Sequence, residues 1–234
     1  MNEKTRYRKA LAQRLKQISI LVVLQALALF VSSGRLDWIE AWVYLIVYLL
    51  FILSVGIALR RRGGGTELME ERAQAGEGVK EWDRFLAPLT GFGGILILII
   101  AGIDDRLAWT GRIEPMLQSI GLLMVIGGDY LFGWAMVTNR FFATVVRIQT
   151  ERGHTVCDQG PYRHVRHPGY LGLILGGVGM PLLFSSLWAF LPFGILLWAA
   201  VLRTYYEDRA LQAELPGYAE YAQRVRFRLL PGIW

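Results

Sequence analysis

The chain has 234 residues, 54% of them hydrophobic and only 19% charged, with a formal net charge of +6. Its hydrophobicity is gathered into long uncharged runs, which excludes a disordered chain and a water-soluble nucleic-acid module and points to the bilayer as solvent. A single Cys excludes an intramolecular disulfide framework and a Cys-rich metal cluster.

In chain order the uncharged or nearly uncharged stretches are residues 18–33, 42–59, 85–103, 116–137 and 170–202. A hydrocarbon core of ~30 Å asks for about 20 helical residues, so the first stretch must borrow from Leu15 or be partly covered by neighbours. The last is too long for one crossing and is interrupted by Pro181, Ser185, Ser186 and Pro192. It predicts a helical hairpin with arms near 169–184 and 187–206. The expected fold is therefore all-α, an integral membrane helical bundle of about six transmembrane helices. Its four-helix N-terminal region covers residues 1–137, and the hairpin closes a C-terminal region at 138–234. Eight Trp, 10 Tyr and 11 Phe suit a protein with two membrane–water boundaries.

Basic residues fall in alternate connections. They precede the first helix (Lys4, Arg6, Arg8, Lys9, Arg14, Lys16) and follow the second (Arg60, Arg61, Arg62, Arg72, Lys80, Arg84). They recur after the fourth (Arg140, Arg147, Arg152, Arg163, Arg166) and in the C-terminal part (Arg203, Arg209, Arg224, Arg226, Arg228), leaving Arg35, Arg106 and Arg112 for the other side. By the positive-inside rule both termini and residues 138–168 are expected in the cytoplasm, in a bacterial inner membrane. No small-residue cleavage pattern precedes Arg35, so the first helix is expected to act as a signal anchor. The connector 63–84, with Gly63-Gly64-Gly65, is assigned no chemistry. Asp129, beside Gly127 and Gly128 in the fourth run, is expected to hydrogen-bond a neighbouring helix.

Chemistry is expected between 138 and 168 and beyond Arg203. All three histidines, His154, His164 and His167, fall there with Tyr162, Arg166 and Tyr170. The string Arg166-His167-Pro168-Gly169-Tyr170-Leu171-Gly172 predicts a helix start at Pro168, because Pro suits the first turn and keeps its predecessor out of the helix. The free N–H groups and positive dipole end of that turn can receive a carboxylate. Gly172 and Gly176 predict close helix packing. Arg203 and Glu207 share a helix face, which gives either a snorkelling i,i+4 salt bridge or one wall of a polar pocket. Residues 211–225, with Tyr218, Tyr221, Ala222 and Val225 at helical spacing, predict an amphipathic helix that covers the pocket or packs on the bundle. A zinc alternative uses His154, Cys157, His164 and His167. His164 and His167 lack i,i+4 spacing, and Pro168 forbids a helix through them. No metal is therefore expected, and Cys157 reads as a small buried residue.

From about Asn139 to Trp234 the chain resembles the isoprenylcysteine carboxyl methyltransferase family, which belongs with the membrane phospholipid methyltransferases. The resemblance is carried by Gln149, His154-Thr155-Val156-Cys157, Gly160-Pro161-Tyr162, the Arg166 to Gly172 string, Arg203 with Glu207-Asp208, and Tyr218, Tyr221 and Pro231. NADPH-dependent membrane sterol reductases carry a similar Arg-His-Pro string. They usually show a Gly-Leu-Trp approach and an Asn after the Pro, where this chain has Gly160-Pro161-Tyr162 and Gly169.

The resemblance implies S-adenosylmethionine as cofactor, in a cytosolic pocket roofed by the C-terminal segment, and a lipophilic acceptor that enters between helices. It implies cofactor contacts from Gln149, His154, Thr155, Val156, Cys157, Tyr162, His167, Pro168, Gly169, Tyr170 and Glu207. Arg203 and Arg166 are implied to contact the substrate. The Gln149 match spans a gap, and Asp208 stands where the family often has Glu. A prenylcysteine-like carboxylate and a lipid headgroup amine both remain open as acceptor. A reductase and a non-catalytic lipid-binding relative remain as the other readings.

Overall fold

A computed structural model describes residues 3–62 and 78–234. Gly63-Gly64-Gly65 and Arg72 lie outside the described residues, as do the side chains of Lys4, Arg6, Arg8, Lys9 and Arg14. Among the described residues the fold is all-helical: α1 (Glu3–Ser33), α2 (Ile39–Arg61), α3 (Asp83–Leu107), α4 (Pro115–Thr138), α5 (Pro168–Leu183), α6 (Phe190–Glu214) and α7 (Tyr218–Arg224). Two single 3-10 turns, Thr150–Arg152 and Gly160–Arg163, punctuate the connector between α4 and α5.

Among the described residues, four stretches are long and apolar enough to cross a membrane: Leu15–Ser33, Ile39–Arg61, Asp83–Leu107 and Pro115–Thr138. The protein is an integral membrane helical bundle. The expected hairpin is present as α5 and α6, but its arms differ from the four spans. α5 has 16 residues, and α6 turns polar from Arg203 onward, so its last three turns leave the apolar layer.

Proline sets several boundaries. α4 and α5 each begin on one, Pro115 and Pro168, where the missing N–H is no loss. His167 before Pro168 is non-helical, with φ −126° and ψ 61°, as the ring of the following proline requires. The single amphipathic helix expected over 211–225 is corrected. α6 runs through Glu214, Leu215 is extended ahead of Pro216, Gly217 turns the chain at φ +82°, and α7 starts at Tyr218. Pro216 cannot bond into a continuing helix, and the positive φ at the next position favours glycine. Tyr218 and Tyr221 are buried with Leu215 against Ile148, Val156 and Leu211, so this segment packs on the body.

Side chains such as Val31, Leu50, Leu53, Phe92 and Leu123 are exposed and form the lipid-facing surface. Lipid tails give apolar side chains no reason to leave them, so helix association relies on close contact. α4 and α5 meet backbone to backbone. A Cβ on Gly128 would lie 2.5 Å from Gly176 N and 2.6 Å from Gly172 O, and one on Gly121 would lie 2.5 Å from Leu183 N. Gly172 meets Gly128 O in return, at 2.6 Å. Asp129 is half-buried beside this seam. Its carboxylate has no hydrogen-bond partner among the described residues, so the interhelical bond expected of it is not made.

Gly128→Ala should therefore force α4 and α5 apart and lower the thermal midpoint of the detergent-solubilised protein, a cost of about 1–3 kcal/mol. Gly176→Ala is the matched control. Its Cβ meets nothing within 4 Å, and it should leave the midpoint unchanged or raise it through better helix propensity. Equal effects from both substitutions would contradict the seam.

Candidate active site

The hairpin brings the first turn of α5 beside the polar half of α6, and the α4–α5 connector folds across both. Between them lies a cavity of about 650 Å³, within the size range of small-molecule sites. One end is apolar and lined by Ile18, Leu21, Phe51, Ile52, Val55 and Leu59 of α1 and α2. The other end is polar. Gln149, His154, Thr155, Val156 and Cys157 reach it from the connector, Tyr162, Arg166, His167, Gly169 and Tyr170 from the mouth of α5, and Arg203 and Glu207 from α6. Pro168 alone of the expected contacts stays off the wall, buried as the first residue of α5.

The connector is held by its own polar groups. Gln149 is buried, its amide N–H donates to Phe141 O at 2.8 Å, and its side-chain oxygen accepts from Arg152. The Gln149 backbone N–H donates to His154 Nδ1 at 3.3 Å, and the His154 ring lies 4.5 Å from that of Phe141. Burial, helped by Arg152 and Arg147, pushes the His154 pKa down to about 4, so the imidazole is neutral near pH 7. Burial pushes the Cys157 thiol up, which keeps it protonated and half-buried rather than nucleophilic. His164 is exposed while His154 and His167 line the cavity. Among the described residues no group of three His, Cys, Asp or Glu is disposed to hold a metal ion.

At the mouth of α5, Arg166 N–H and His167 N–H donate to Phe227 O and Arg228 O, both at 2.9 Å, which straps the C-terminal segment to the start of that helix. Leu171 N–H bonds back to His167 O, so the N–H groups of Gly169 and Tyr170 belong to the open first turn. Gly169 admits the Phe142 ring, which a Cβ there would meet at 2.8 Å. Tyr170 OH donates to Glu207 Oε2 at 2.7 Å, joining the two arms of the hairpin at the cavity wall.

Two buried carboxylates organise the arginines. Asp208 accepts from Arg166 Nε at 2.7 Å and Nη2 at 3.0 Å, from Arg228 Nε at 2.8 Å, from Gln212 at 2.8 Å and from Tyr218 OH at 3.1 Å; His167 Nε2 lies 3.3 Å away. Burial alone would raise its pKa, but the hydrogen bonds from His167, Arg166 and Arg228 prevail and hold it well below the usual carboxylate range. Arg166 also donates to Val225 O and Arg226 O, so most of its guanidinium N–H groups are engaged within the protein.

Asp83 accepts from Arg203 Nε at 2.7 Å and Nη2 at 3.1 Å. The i,i+4 salt bridge between Arg203 and Glu207 is therefore corrected: Arg203 pairs with Asp83 of α3, and Glu207 with Tyr170. The flat guanidinium fork fits a carboxylate facing it across the helix interface better than one on its own helix. Sequence reasoning missed Asp83, which fell in a connector assigned no chemistry. It also missed the hub role of Asp208, for which the Glu207-Asp208 pair in the resemblance was the available signal.

The sequence profile of the isoprenylcysteine carboxyl methyltransferase family matches residues 120–213, the stretch that contributes most of the polar end of the cavity. Over this segment the chain is similar to that family. It is 37% identical over 109 residues to a probable protein-S-isoprenylcysteine O-methyltransferase of Oryza sativa subsp. indica, covering 45% of this chain and 57% of the relative. It is 31% identical over 112 residues to protein-S-isoprenylcysteine O-methyltransferase B of Arabidopsis thaliana, covering 47% and 57%. It is also 31% identical over 120 residues to the cobalt-zinc-cadmium resistance protein CzcN of Cupriavidus metallidurans, covering 50% of each. The chain spans about half the length of these curated relatives.

Asp208→Asn should destabilise the protein by about 3–5 kcal/mol near neutral pH, because it leaves the buried Arg166 and the half-buried Arg228 without their anion. The Asp208 pKa is lower in the folded state than the unfolded value of about 3.9, so its contribution is fully present above that value and is lost as pH falls toward the folded one. The gap between wild type and variant, read as thermal midpoint in detergent, should therefore narrow below about pH 4. A gap independent of pH would contradict the role of the ionised carboxylate.

Proposed function

We propose that the protein is a membrane methyltransferase that uses S-adenosylmethionine to methylate the carboxylate of a lipophilic, prenylcysteine-like acceptor. The observation that carries this reading is the single cavity that joins an apolar end at α1 and α2 to a polar end at the mouth of α5. An acceptor with a hydrocarbon tail and an ionic head matches both ends. The polar end also matches the cofactor in its donor set. Glu207 offers a carboxylate to an ammonium, the open first turn of α5 offers N–H groups to a carboxylate, and the rings of Phe141 and His154 offer flat surfaces. His154, Thr155, Val156, Cys157, Tyr162, His167, Gly169 and Tyr170 complete the wall around it, Pro168 sets the turn, and Gln149 acts by holding the connector in place.

When bound, S-adenosylmethionine supplies an electrophilic methyl group on a sulfonium. The residues of the chain then align the reactants and exclude water. Arg203 orients the acceptor carboxylate, which is ionised near neutral pH and needs no base. An amine acceptor would need one, and the nearest candidates are committed: Glu207 to Tyr170, and His167 to Asp208 and Tyr218. This favours the carboxylate. Arg166 joins Asp208 to the carbonyls of Val225 and Arg226 and acts as the tie between α5 and the C-terminal segment. The clustering of Lys and Arg supports a cytoplasmic position for this end of the bundle.

Saturating S-adenosylhomocysteine should raise the thermal midpoint of the purified protein, by about 2.7 kcal/mol of stabilisation at 100 times its dissociation constant, and NADPH should not. A shift with NADPH alone would move the protein to the reductases. No shift with either would favour a non-catalytic lipid-binding role. Glu207→Gln should weaken S-adenosylhomocysteine binding by about tenfold. Arg203→Ala should leave that binding intact and lower turnover by about two orders of magnitude. Wild-type binding by the folded Glu207→Gln variant, or wild-type turnover by Arg203→Ala, would remove the respective assignment.

A further inference from the structure

We propose that Asp83, the first residue of α3, is a positioning residue for the transfer: it fixes the plane of the Arg203 guanidinium in the cavity wall. This rests on the methyltransferase reading of that cavity. Asp83 lies outside the family-matched segment 120–213, so the N-terminal half of the chain completes the site.

Asp83 has no exposed surface, and both its oxygens are committed. Oδ1 accepts from Arg203 Nε, and Oδ2 accepts from Arg203 Nη2 and from Val146 N–H at 2.7 Å. A two-point contact fixes a guanidinium in rotation as well as in place, which a single ion pair does not. The remaining donors follow from that plane: Nη1 reaches Thr90 Oγ1 at 3.1 Å, and Nη2 reaches Thr144 O at 3.0 Å. The same carboxylate therefore sets the long, flexible Arg203 side chain and the connector segment at 144–146, both of which line the cavity.

The start of α3 is itself secured. Lys80 N–H donates to Val146 O at 3.0 Å, Asp83 N–H to Lys80 O at 2.9 Å, and the Trp82 ring lies 5.3 Å from that of Tyr206 on α6. From Arg203 the arrangement continues into the pocket. Its Cζ sits 5.3 Å over the Tyr170 ring, and Tyr170 OH holds Glu207. The acceptor-facing arginine is thus ordered before the acceptor arrives, and its rotamer entropy is already lost in the free protein.

The test uses the full chain in detergent, S-adenosylmethionine, and S-farnesyl-N-acetylcysteine as acceptor probe. Asp83→Asn should raise the acceptor KM about tenfold or more and leave the S-adenosylmethionine KM within about twofold. Asp83→Asn combined with Arg203→Ala should be no worse than Arg203→Ala alone, because Asp83 acts through Arg203. Arg203→Lys keeps the charge and loses the fork, so it should reproduce the acceptor defect even if Asp83→Asn fails to fold. An unchanged acceptor KM in either single variant, or losses that multiply in the double variant, would overturn the proposal.

A second readout is independent of the acceptor. In protein labelled with 15N-arginine, the Arg203 Nε–H should exchange slowly in wild type and rapidly in Asp83→Asn, with the Arg166 signal unchanged. Rapid exchange of Arg203 in wild type would overturn the proposal. If wild type shows the protected signal but no transfer to the probe, the methyltransferase reading fails while the Asp83–Arg203 arrangement stands.

Discussion

A carboxylate with no exposed surface must be compensated where it sits, and Asp208 is compensated by groups from four separate stretches. Arg166 and His167 come from the mouth of α5, Gln212 from the next turn of α6, Tyr218 from α7 and Arg228 from the C-terminal segment. No one of these stretches holds the roof of the cavity alone. α7 is only seven residues long, far below the length at which an isolated helix is stable, and the C-terminal strap is fixed to the body near Arg166 and His167 by backbone bonds and by Arg228. The charge–charge convergence is what gives the polar end a fixed shape.

The apolar part of the bundle solves a different problem. Lipid removes the usual incentive to bury side chains, and the exposed Leu, Val and Phe of α1, α2, α3 and α4 show how much apolar surface is left to it. The glycine seam between α4 and α5 substitutes close backbone contact for that incentive. It also bears on the site, because the depth at which α5 docks on α4 sets the height of Tyr170 in the bundle. At the opposite end of α5, Ser186 Oγ and Thr110 Oγ1 both donate to buried Asp104, which ties the hairpin turn to the end of α3. The hairpin is anchored at both ends, and the cavity lies at the one that carries the basic residues.

Much of this was legible in the sequence for local reasons. Pro168 announced the start of α5, the apolar runs marked the four spans, and the dense polar strings around His154 and His167 marked the cavity wall. The failures have a common physical origin in contacts that spacing does not encode. Arg203 and Glu207 sit at the separation of a helical salt bridge, yet Arg203 pairs with Asp83, 120 residues away, because the fork meets that carboxylate face on. The periodicity of residues 211–225 was real, but Pro216 and Gly217 stood inside it and broke the helix. Asp208 looked like the lesser member of an acidic pair. Which acid turns inward to the arginines and which faces the cavity depends on how α6 is rotated against α5, and that is a tertiary property.

The cavity joins apolar side chains of α1 and α2 to Arg203 and the polar mouth of α5, and methyl-ester formation there is the reaction proposed. The most direct measurement is transfer of labelled methyl from S-adenosylmethionine to S-farnesyl-N-acetylcysteine by the purified protein, with base hydrolysis of the product. The account predicts incorporated label that is released as methanol on mild alkaline treatment, as an ester requires. Label that resists base would place the methyl group on nitrogen, and no incorporation in protein that binds S-adenosylhomocysteine would contradict the prenylcysteine-like acceptor.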